Sequence, residues 1–175
     1  DLLAAVQPLP SPNVDELRSV LDYARLVRHV SWTQAWNADT RTVGEVHEVH
    51  GHVYSDAIDQ CLRENGAVYI PRMDSPIYID RPIVLRSGNR LAVHPETEIR
   101  LIVGKAGTCM VRNANIVFAQ AHPVAMCEGA DTGILIEGGI WSDQNNEGHG
   151  RGGAFDTENS MPGPHGAFLL HNVAN

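Results

Sequence analysis

Apolar residues follow two different spacings along the chain, and the change falls near Gly66. After the proline-rich residues 1–12, apolar side chains recur every three or four positions, which predicts an amphipathic α-helix. Asn13 and Glu16 have the spacing of a capping box at the start of this helix. Its apolar positions are Leu17, Val20, Leu21, Ala24 and Val27.

Residues 31–52 show no regular period, and we interpret them as an irregular segment. Trp32 and Trp36 are four residues apart, as on one face of a helix, so we expect both rings in the core beneath the first helix. The sequence therefore predicts little regular structure in this stretch.

A second helix is predicted over residues 55–65. Ser55 can cap its N-terminus, and Asn65-Gly66 supplies a residue able to take a positive φ at its C-terminus. We expect this helix to act as a lid on the strands that follow it. Its apolar face consists of Ala57, Ile58, Cys61 and Leu62.

Beyond Gly66 the chain has short, continuous apolar runs bounded by Pro, Gly, Asn and Asp, which predict β-strands. Three of the runs start at Ile83, Leu91 and Ile99, eight residues apart, which leaves no room for helices between them. Continuous apolar runs are typical of strands buried by parallel neighbours. The runs cover residues 67–70, 83–85, 91–93, 99–103, 115–119, 134–137 and 167–170.

Close spacing and parallel neighbours together favour a parallel β-helix, in which three short strands make one coil of roughly 20–25 residues. Each strand then pairs with its equivalent one coil later, about 4.8 Å away. We therefore predict an all-β fold with N-terminal α-helices, one of which caps the first coil. The predicted divisions are a helical and irregular segment over 1–54, and a capping helix with the first coils over 55–175. A β-sandwich or jelly roll with the same number of strands stays open as the alternative.

The charge balance limits the partners that the chain can bind. It has 13 Lys and Arg against 21 Asp and Glu, a formal net charge of −8 at pH 7, which argues against a nucleic acid or an anionic membrane surface. No run approaches the ~18 apolar residues of a membrane-spanning helix. Cys61, Cys109 and Cys127 have no CxxC spacing and indicate neither a disulfide framework nor a thiolate metal site. We expect no cofactor.

Several segments after residue 55 resemble a known family. Residues 66–71, Gly-Ala-Val-Tyr-Ile-Pro, and the strand runs after them are similar to the opening coils of the pectin lyase-like superfamily. Residues 134–143 are similar to the strand and glycine turn of polygalacturonase-like glycoside hydrolases. The resemblance implies a right-handed parallel β-helix that acts on a polysaccharide in a lateral groove.

The chain also departs from that family. The family's catalytic aspartate elements, including its Asp-Asp pair, do not occur in this sequence. Gly148-His149-Gly150 has the letters of another family motif, but it stands in a glycine-rich stretch and we treat the match as coincidence. No cap follows the last predicted strand, 167–170, so we expect further coils from a continuation or a separate chain.

The longest gap between predicted strands is the most informative stretch for function. Residues 141–165 form a 25-residue insert, and loops of that length are usually functional or disordered. A glycosidase needs one carboxylic acid and one carboxylate, which loop acids can supply, although a solvated loop without chemistry is the alternative interpretation. The candidate catalytic acids are Asp143, Glu147 and Asp156, and the candidate substrate-binding residues are Trp141, His149, Arg151 and His165.

Two stretches resemble metal sites without completing one. His47, His50 and His52 do not extend to a four-ligand set, so we interpret them as a titrating surface, with His50 and His52 on one face if they lie on a strand. Residues 143–148 follow the start of a calcium-binding loop, but Ala154 stands where that loop needs a bidentate carboxylate. We therefore expect no metal.

These observations predict a glycoside hydrolase that acts on a pectin-type or other polysaccharide, with carboxylate acid/base chemistry mostly located beyond this chain. We expect a secreted or periplasmic protein, and a cytoplasmic location is also compatible with the sequence. Two alternatives stay open: a non-catalytic glycan-binding module of the adhesin or tailspike type, and a β-helix polysaccharide lyase. The expected partner in each case is a polysaccharide or oligosaccharide.

Overall fold

The structure, a computed structural model, describes residues 16–102, 109–117, 126–127, 129–144, 168–170 and 173–174. Most of them lie in β-strands, and the sheets are mixed. One α-helix, α1, spans Ser55–Asn65, and a 3₁₀ helix spans Val20–Leu26. Neither of these helices is long and apolar enough to cross a lipid bilayer. The strands are β1 (Arg28–Asn37), β2 (Thr42–Val53), β3 (Ala67–Ile70), β4 (Ile77–Ile79), β5 (Ile83–Leu85), β6 (Arg90–Leu101), β7 (Val111–Asn113), β8 (Ile116–Val117), β9 (Met126–Cys127), β10 (Asp131–Thr132), β11 (Leu135–Ser142), β12 (Phe168–Leu169) and β13 (Val173–Ala174).

Strands β1 and β2 form a long antiparallel hairpin where the sequence analysis expects an irregular segment over 31–52. That expectation is wrong, because a register shift between Gln34 and Trp36 interrupts the strand period of two. The four-residue spacing of Trp32 and Trp36 is therefore that of a bulged strand rather than a helix. Most of β2 is also exposed on both faces, so its alternation is not visible in the hydrophobic pattern.

The predicted amphipathic helix is replaced by a shorter 3₁₀ helix that begins only at Val20. Val20 and Tyr23 are buried while Leu21 is exposed, so the buried side chains recur every three residues, as 3₁₀ geometry requires. Its N-cap is Ser19, whose Oγ accepts a hydrogen bond from the Leu21 N–H at 3.2 Å. The predicted capping residue Asn13 lies outside the described residues.

The second helix is confirmed with its predicted bounds. Gly66 ends it with a φ of 70°, and the Gly66 N–H donates to the Leu62 carbonyl at 2.9 Å. The prediction that Ser55 is the N-cap is wrong: Tyr54 is the N-cap, and Ser55 is the first residue of the helix. Instead, the Ser55 hydroxyl donates to Asp80 Oδ1 at 2.7 Å and accepts from the Asp80 N–H at 3.0 Å. The predicted apolar face is buried at Ala57, Ile58, Cys61 and Leu62.

Three sets of strands stack in parallel and in register: β3–β6–β11, β4–β6–β11 and β5–β7–β12. Each set contains a column of paired apolar side chains. In each column the first two members are buried, and the third is half-buried or exposed. The columns are Val68–Leu91–Ile136, Ile77–Ile99–Trp141 and Ile83–Val111–Phe168.

The predicted runs over 67–70 and 83–85 are strands with those bounds. The runs over 91–93 and 99–103 are the two halves of one strand, β6. The run over 115–119 departs from the parallel arrangement, because its described part, β8, pairs antiparallel with β9. Among the described strands, parallel stacking is thus concentrated in the three sets above.

Helix α1 and the hairpin attach to this stack in different ways. Helix α1 packs its apolar face against β3 and β5 and joins the main hydrophobic core. The hairpin joins through the end of β2, where Val53 pairs with Tyr78 of β4. This attachment brings the long hairpin beside the outer faces of β6 and β11.

Candidate functional site

A cleft of about 460 Å³ opens between the turn of the hairpin and the outer faces of β6 and β11. We call it the Trp36 cleft. Its walls combine two aromatic rings, three carboxylates and two guanidinium groups, which is a dense set of recognition chemistry for one surface. These residues are Trp36, Trp141, Asp39, Glu98, Asp143, Arg41 and Arg100.

A chain of buried amide hydrogen bonds holds the hairpin against the cleft floor. Gln34 Nε2 donates to the Trp36 carbonyl at 2.6 Å and lies 3.4 Å from Gln144 Oε1. Gln34 Oε1 accepts from Trp32 Nε1 at 2.8 Å, and Gln144 Nε2 donates to the Leu101 carbonyl at 2.9 Å. Both glutamine side chains are buried, so each of these bonds compensates the loss of hydration. The chain of bonds therefore fixes the hairpin relative to β6 and to the residues after β11.

The hairpin turn presents Asp39 and Arg41 to the cleft. Asn37 Oδ1 accepts hydrogen bonds from the backbone N–H groups of Asp39 and Thr40 at 3.0 and 3.1 Å, which is an Asx turn. Arg41 has a φ of 55°, in the left-handed region that non-glycine residues seldom adopt. Such backbone strain is common where a turn must aim side chains at a site.

Glu98 and Arg100 form a two-pronged ion pair on the outer face of β6. Arg100 Nε lies 2.8 Å from Glu98 Oε1, and Nη2 lies 2.9 Å from Oε2. Burial alone would lower the pKa of Arg100, but the hydrogen bonds with Glu98 and Tyr78 outweigh it and raise that pKa. Both carboxylate oxygens of Glu98 therefore accept hydrogen bonds from one guanidinium group.

Trp141, a predicted substrate-binding residue, borders the cleft through its place on β11, between the outward-facing Ile140 and Ser142. It pairs with the buried Ile99, so it belongs to an inward-facing column, yet its ring is only partly buried. Trp141 Nε1 donates to the Gly138 carbonyl at 3.0 Å, and the ring meets Phe168 edge-on at 5.0 Å. Its single polar handle is thus occupied, and its ring remains as an apolar surface.

Trp36 corrects the sequence analysis, which expects Trp32 and Trp36 in the core beneath the first helix. Trp36 lines the cleft instead. Trp32 packs edge-on against Tyr78, with ring centroids 4.8 Å apart, on the side of the hairpin that faces β4. Once the bulge after Gln34 is known, the different environments of the two rings follow from the shifted register.

A double glycine turn in β11 leads the chain into the cleft. Gly138 and Gly139 have φ values of 71° and 76°. A Cβ atom on Gly138 would lie 2.0 Å from the backbone oxygen of Val93. Only glycine fits there, because the neighbour is backbone and cannot rotate away.

Asp143, a candidate catalytic acid, lies in the cleft immediately after β11. The next residue, Gln144, has a φ of 56° and is buried, so the backbone bends sharply at this point. The other candidates, Glu147, His149, Arg151, Asp156 and His165, lie outside the described residues. Sequence reasoning missed Asp39 and Glu98, since neither stands in a recognisable motif.

The histidines predicted to be a titrating surface lie on β2. His50 and His52 share a face, where their rings lie 6.4 and 4.9 Å from the ring of His29. His47 is three residues from His50, so strand alternation places it on the opposite face. Within the ranges that the structure describes, no three His, Cys, Asp or Glu side chains are arranged to hold a metal ion.

Comparison of the chain with protein-family models, with curated proteins and with solved structures gives no match.

Proposed function

We propose that this chain belongs to a carbohydrate-active protein with a right-handed parallel β-helix, and that it acts as a glycoside hydrolase on a polysaccharide held in the Trp36 cleft. The parallel stacks support the fold assignment, since the first pairings of the three stacks join residues 23, 22 and 28 positions apart: Val68 to Leu91, Ile77 to Ile99 and Ile83 to Val111. These offsets agree with one coil of a β-helix. Parallel strands joined by crossovers are right-handed in nearly all proteins.

One observation carries the function: the partly buried indole ring of Trp36 and three acidic side chains share one open cleft. A sugar ring has apolar C–H faces and polar edges, so its binding needs a flat apolar surface surrounded by hydrogen-bonding groups. Trp36 provides the flat surface, the exposed Ile140 adds apolar area beside it, and Asp39, Ser142 and Asp143 provide polar groups around it. The arrangement fits a neutral or weakly charged glycan.

Hydrolysis of a glycosidic bond needs a proton donor for the leaving oxygen and a carboxylate on the other side of the sugar. Within the cleft, Arg100 commits Glu98 to an ion pair. We assign this chemistry to Asp39 and Asp143, which stand at backbone turns that open onto the cleft, with Asp143 first because it also follows the glycine turn. Glu147 and Asp156 stay proposals from the sequence.

The test is cleavage of defined oligosaccharides, measured as new reducing ends, by the wild-type chain and by Asp143→Asn and Asp39→Asn. We expect the essential substitution to reduce cleavage by about 10² or more while binding is retained, as removal of a general acid or base does. Asp74→Asn, which changes an exposed acid outside the cleft, is the matched control. Unchanged cleavage by both cleft variants would remove these acids from the mechanism.

A non-catalytic glycan-binding module is the second candidate, and the Glu98–Arg100 pair favours it, because a paired carboxylate binds hydroxyl groups rather than transferring protons. It predicts that the wild-type chain binds oligosaccharides without producing new ends. Trp36→Ala should then weaken binding by about 1–3 kcal/mol, judged from the apolar area of the ring. Unsaturated products would instead identify a lyase.

A further inference from the structure

A second surface, distinct from the Trp36 cleft, is rich in arginine. It is a groove of about 430 Å³ between the last turn of α1 and the outer faces of β5 and β7, and we call it the arginine groove. Among the described residues, none lines both the groove and the cleft. Four guanidinium groups face one carboxylate along it: Arg63, Arg81, Arg86, Arg112 and Asp59.

Strand alternation explains why the arginines meet. Ile83 and Leu85 of β5 are buried, so Val84 between them and Arg86 after them turn outward. Val111 and Asn113 of β7 are buried in the same way, so Arg112 points to the same side. Because β5 and β7 pair in parallel, their outward residues lie next to each other.

Arg81 forms the fixed edge of the groove. Its Nη2 atom lies 2.5 Å from Asp59 Oδ2 and 2.8 Å from Asp56 Oδ1. Asp59, the carboxylate that lines the described part of the groove, is thus already paired with Arg81. Burial alone would lower the pKa of Arg81, but hydrogen bonds with Asp59 and Asp56 outweigh it and raise that pKa.

Arg63 and Arg86 add positive charge to the groove. Arg63 Nη2 donates to the neutral Gln60 Oε1 at 3.0 Å, and its side chain is exposed. Arg86 is exposed, and no ion pair of its side chain occurs within the part of the chain that the structure describes. Positive charge is concentrated here in a chain with a net charge of −8.

We propose that the arginine groove binds an anionic saccharide chain by its carboxylate or sulfate groups. Guanidinium is the cation that matches planar or multi-oxygen anions with paired hydrogen bonds. An anionic saccharide fits better than a nucleic acid because none of the described residues that line the groove is aromatic, so bases have no ring there to stack on.

This inference goes beyond the proposed function, because it concerns a different surface and a different ligand charge. The two can fail separately. If the Trp36 cleft bound no neutral glycan, binding of an anionic saccharide in the arginine groove would be unaffected. If the groove bound no anionic saccharide, binding in the cleft would be unaffected.

The test titrates the full chain with three oligosaccharides of equal length: an oligogalacturonate, a sulfated oligosaccharide and a neutral one. The groove variant is Arg63→Gln combined with Arg86→Gln. The matched control is Arg25→Gln combined with Arg72→Gln, which makes the same change in net charge at exposed positions outside the groove. Thermal unfolding of each variant verifies that it is folded, which is expected since these side chains lie at the surface.

We expect the groove variant to bind the anionic oligosaccharide at least about tenfold more weakly than the wild type, as the loss of charge-assisted hydrogen bonds implies. The control and Trp36→Ala should retain the wild-type affinity. Preference for the sulfated or for the carboxylated ligand identifies the anion. Three results would each overturn the proposal. The wild type could bind the neutral oligosaccharide as tightly as the anionic ones, the control variant could lose as much affinity for the anionic ligand as the groove variant, or Trp36→Ala could lose that affinity. Single-stranded DNA is titrated as well. If the wild type binds it more tightly than both anionic oligosaccharides, and the groove variant no longer binds it, the groove is assigned to nucleic acid instead.

Discussion

The stacked strands and the β1–β2 hairpin are built on opposite principles. The stack buries apolar columns such as Leu91 and Ile99 between parallel neighbours. The hairpin is antiparallel and largely exposed, and the one buried side chain of β1, all of which the structure describes, is the polar Gln34. Hydrophobic burial is roughly proportional to area and tolerates sequence change, whereas buried hydrogen bonds depend on specific partners. The stack therefore carries the stability, and the hairpin carries the side chains that shape the Trp36 cleft.

The largest contrast is expected between a buried residue of the stack and an exposed residue of the hairpin. Leu91 is fully buried, and Leu91→Ala should lower the free energy of unfolding by about 2–5 kcal/mol, because it removes buried methyl groups and leaves a cavity. Val46 is 71% exposed, and Val46→Ala should change the free energy of unfolding by less than about 0.5 kcal/mol. Urea denaturation measures both values. Similar losses in the two variants would mean that stability is not concentrated in the stack.

The second contrast uses glycines with the same backbone conformation. Gly138→Ala should cost about 2–4 kcal/mol, because its φ is 71° and a Cβ would lie 2.0 Å from the Val93 backbone oxygen. Gly66 has a φ of 70°, and a Cβ atom there would meet no described atom within 4 Å, so Gly66→Ala should cost only about 1 kcal/mol. The difference isolates the close approach between β6 and β11. Equal costs would show that conformational strain alone accounts for both, and that the tight contact is absent.

The same division explains how much the sequence could predict. The strands over 67–70 and 83–85 could be predicted because strands buried between parallel neighbours have consecutive apolar residues in the sequence, with turn residues at both ends. The hairpin was not, since its inner contacts are made by Gln34, glycine and aromatic edges, and a bulge breaks its period. Part of the candidate site followed from the sequence, namely Trp141 and Asp143 next to the glycine turn. Asp39 and Glu98 reach the cleft only through the folded hairpin and the outward face of β6, which no local motif encodes.

A third test breaks the polar attachment of the hairpin while leaving the stack intact. Gln34→Met removes the partner of Trp32 Nε1 and of the Gln144 side chain, so the free energy of unfolding should fall by about 1–3 kcal/mol. Gln60→Met, on the surface of α1, is the matched control and should cost less, because water can replace its bonds. Denaturant titration gives the stability. Fluorescence of the tryptophans should shift in Gln34→Met alone, and an unshifted spectrum would contradict a role for Gln34 in seating the hairpin.

The smallest expected effect concerns the ion pairs where the hairpin, α1 and the end of β4 meet. Arg28 Nε lies 3.0 Å from Asp56 Oδ2, and its Nη2 lies 2.7 Å from Asp80 Oδ2. Hydrogen bonding to Arg81 and then to Arg28 lowers the pKa of Asp56. Burial would raise the pKa of Asp80, but the bonds from Arg28 and Ser55 outweigh it and lower that pKa.

Because both carboxyl groups have a lower pKa in the folded chain than in the unfolded one, their contribution to stability is present above about pH 4 and is lost as the pH falls below it. We expect the free energy of unfolding to decrease as the pH falls from about 5 to about 2 in the wild type. Arg28→Met should show a shallower decrease, and Arg25→Met, an exposed arginine without these partners, should follow the wild type. Several of these groups are more than a third exposed, so solvent screening keeps the difference small. If the free energy of unfolding depends on pH in the same way in the wild type and in Arg28→Met, these ion pairs do not help to hold the hairpin. Its attachment would then depend on the buried amide hydrogen bonds alone, whereas the stack depends on apolar burial.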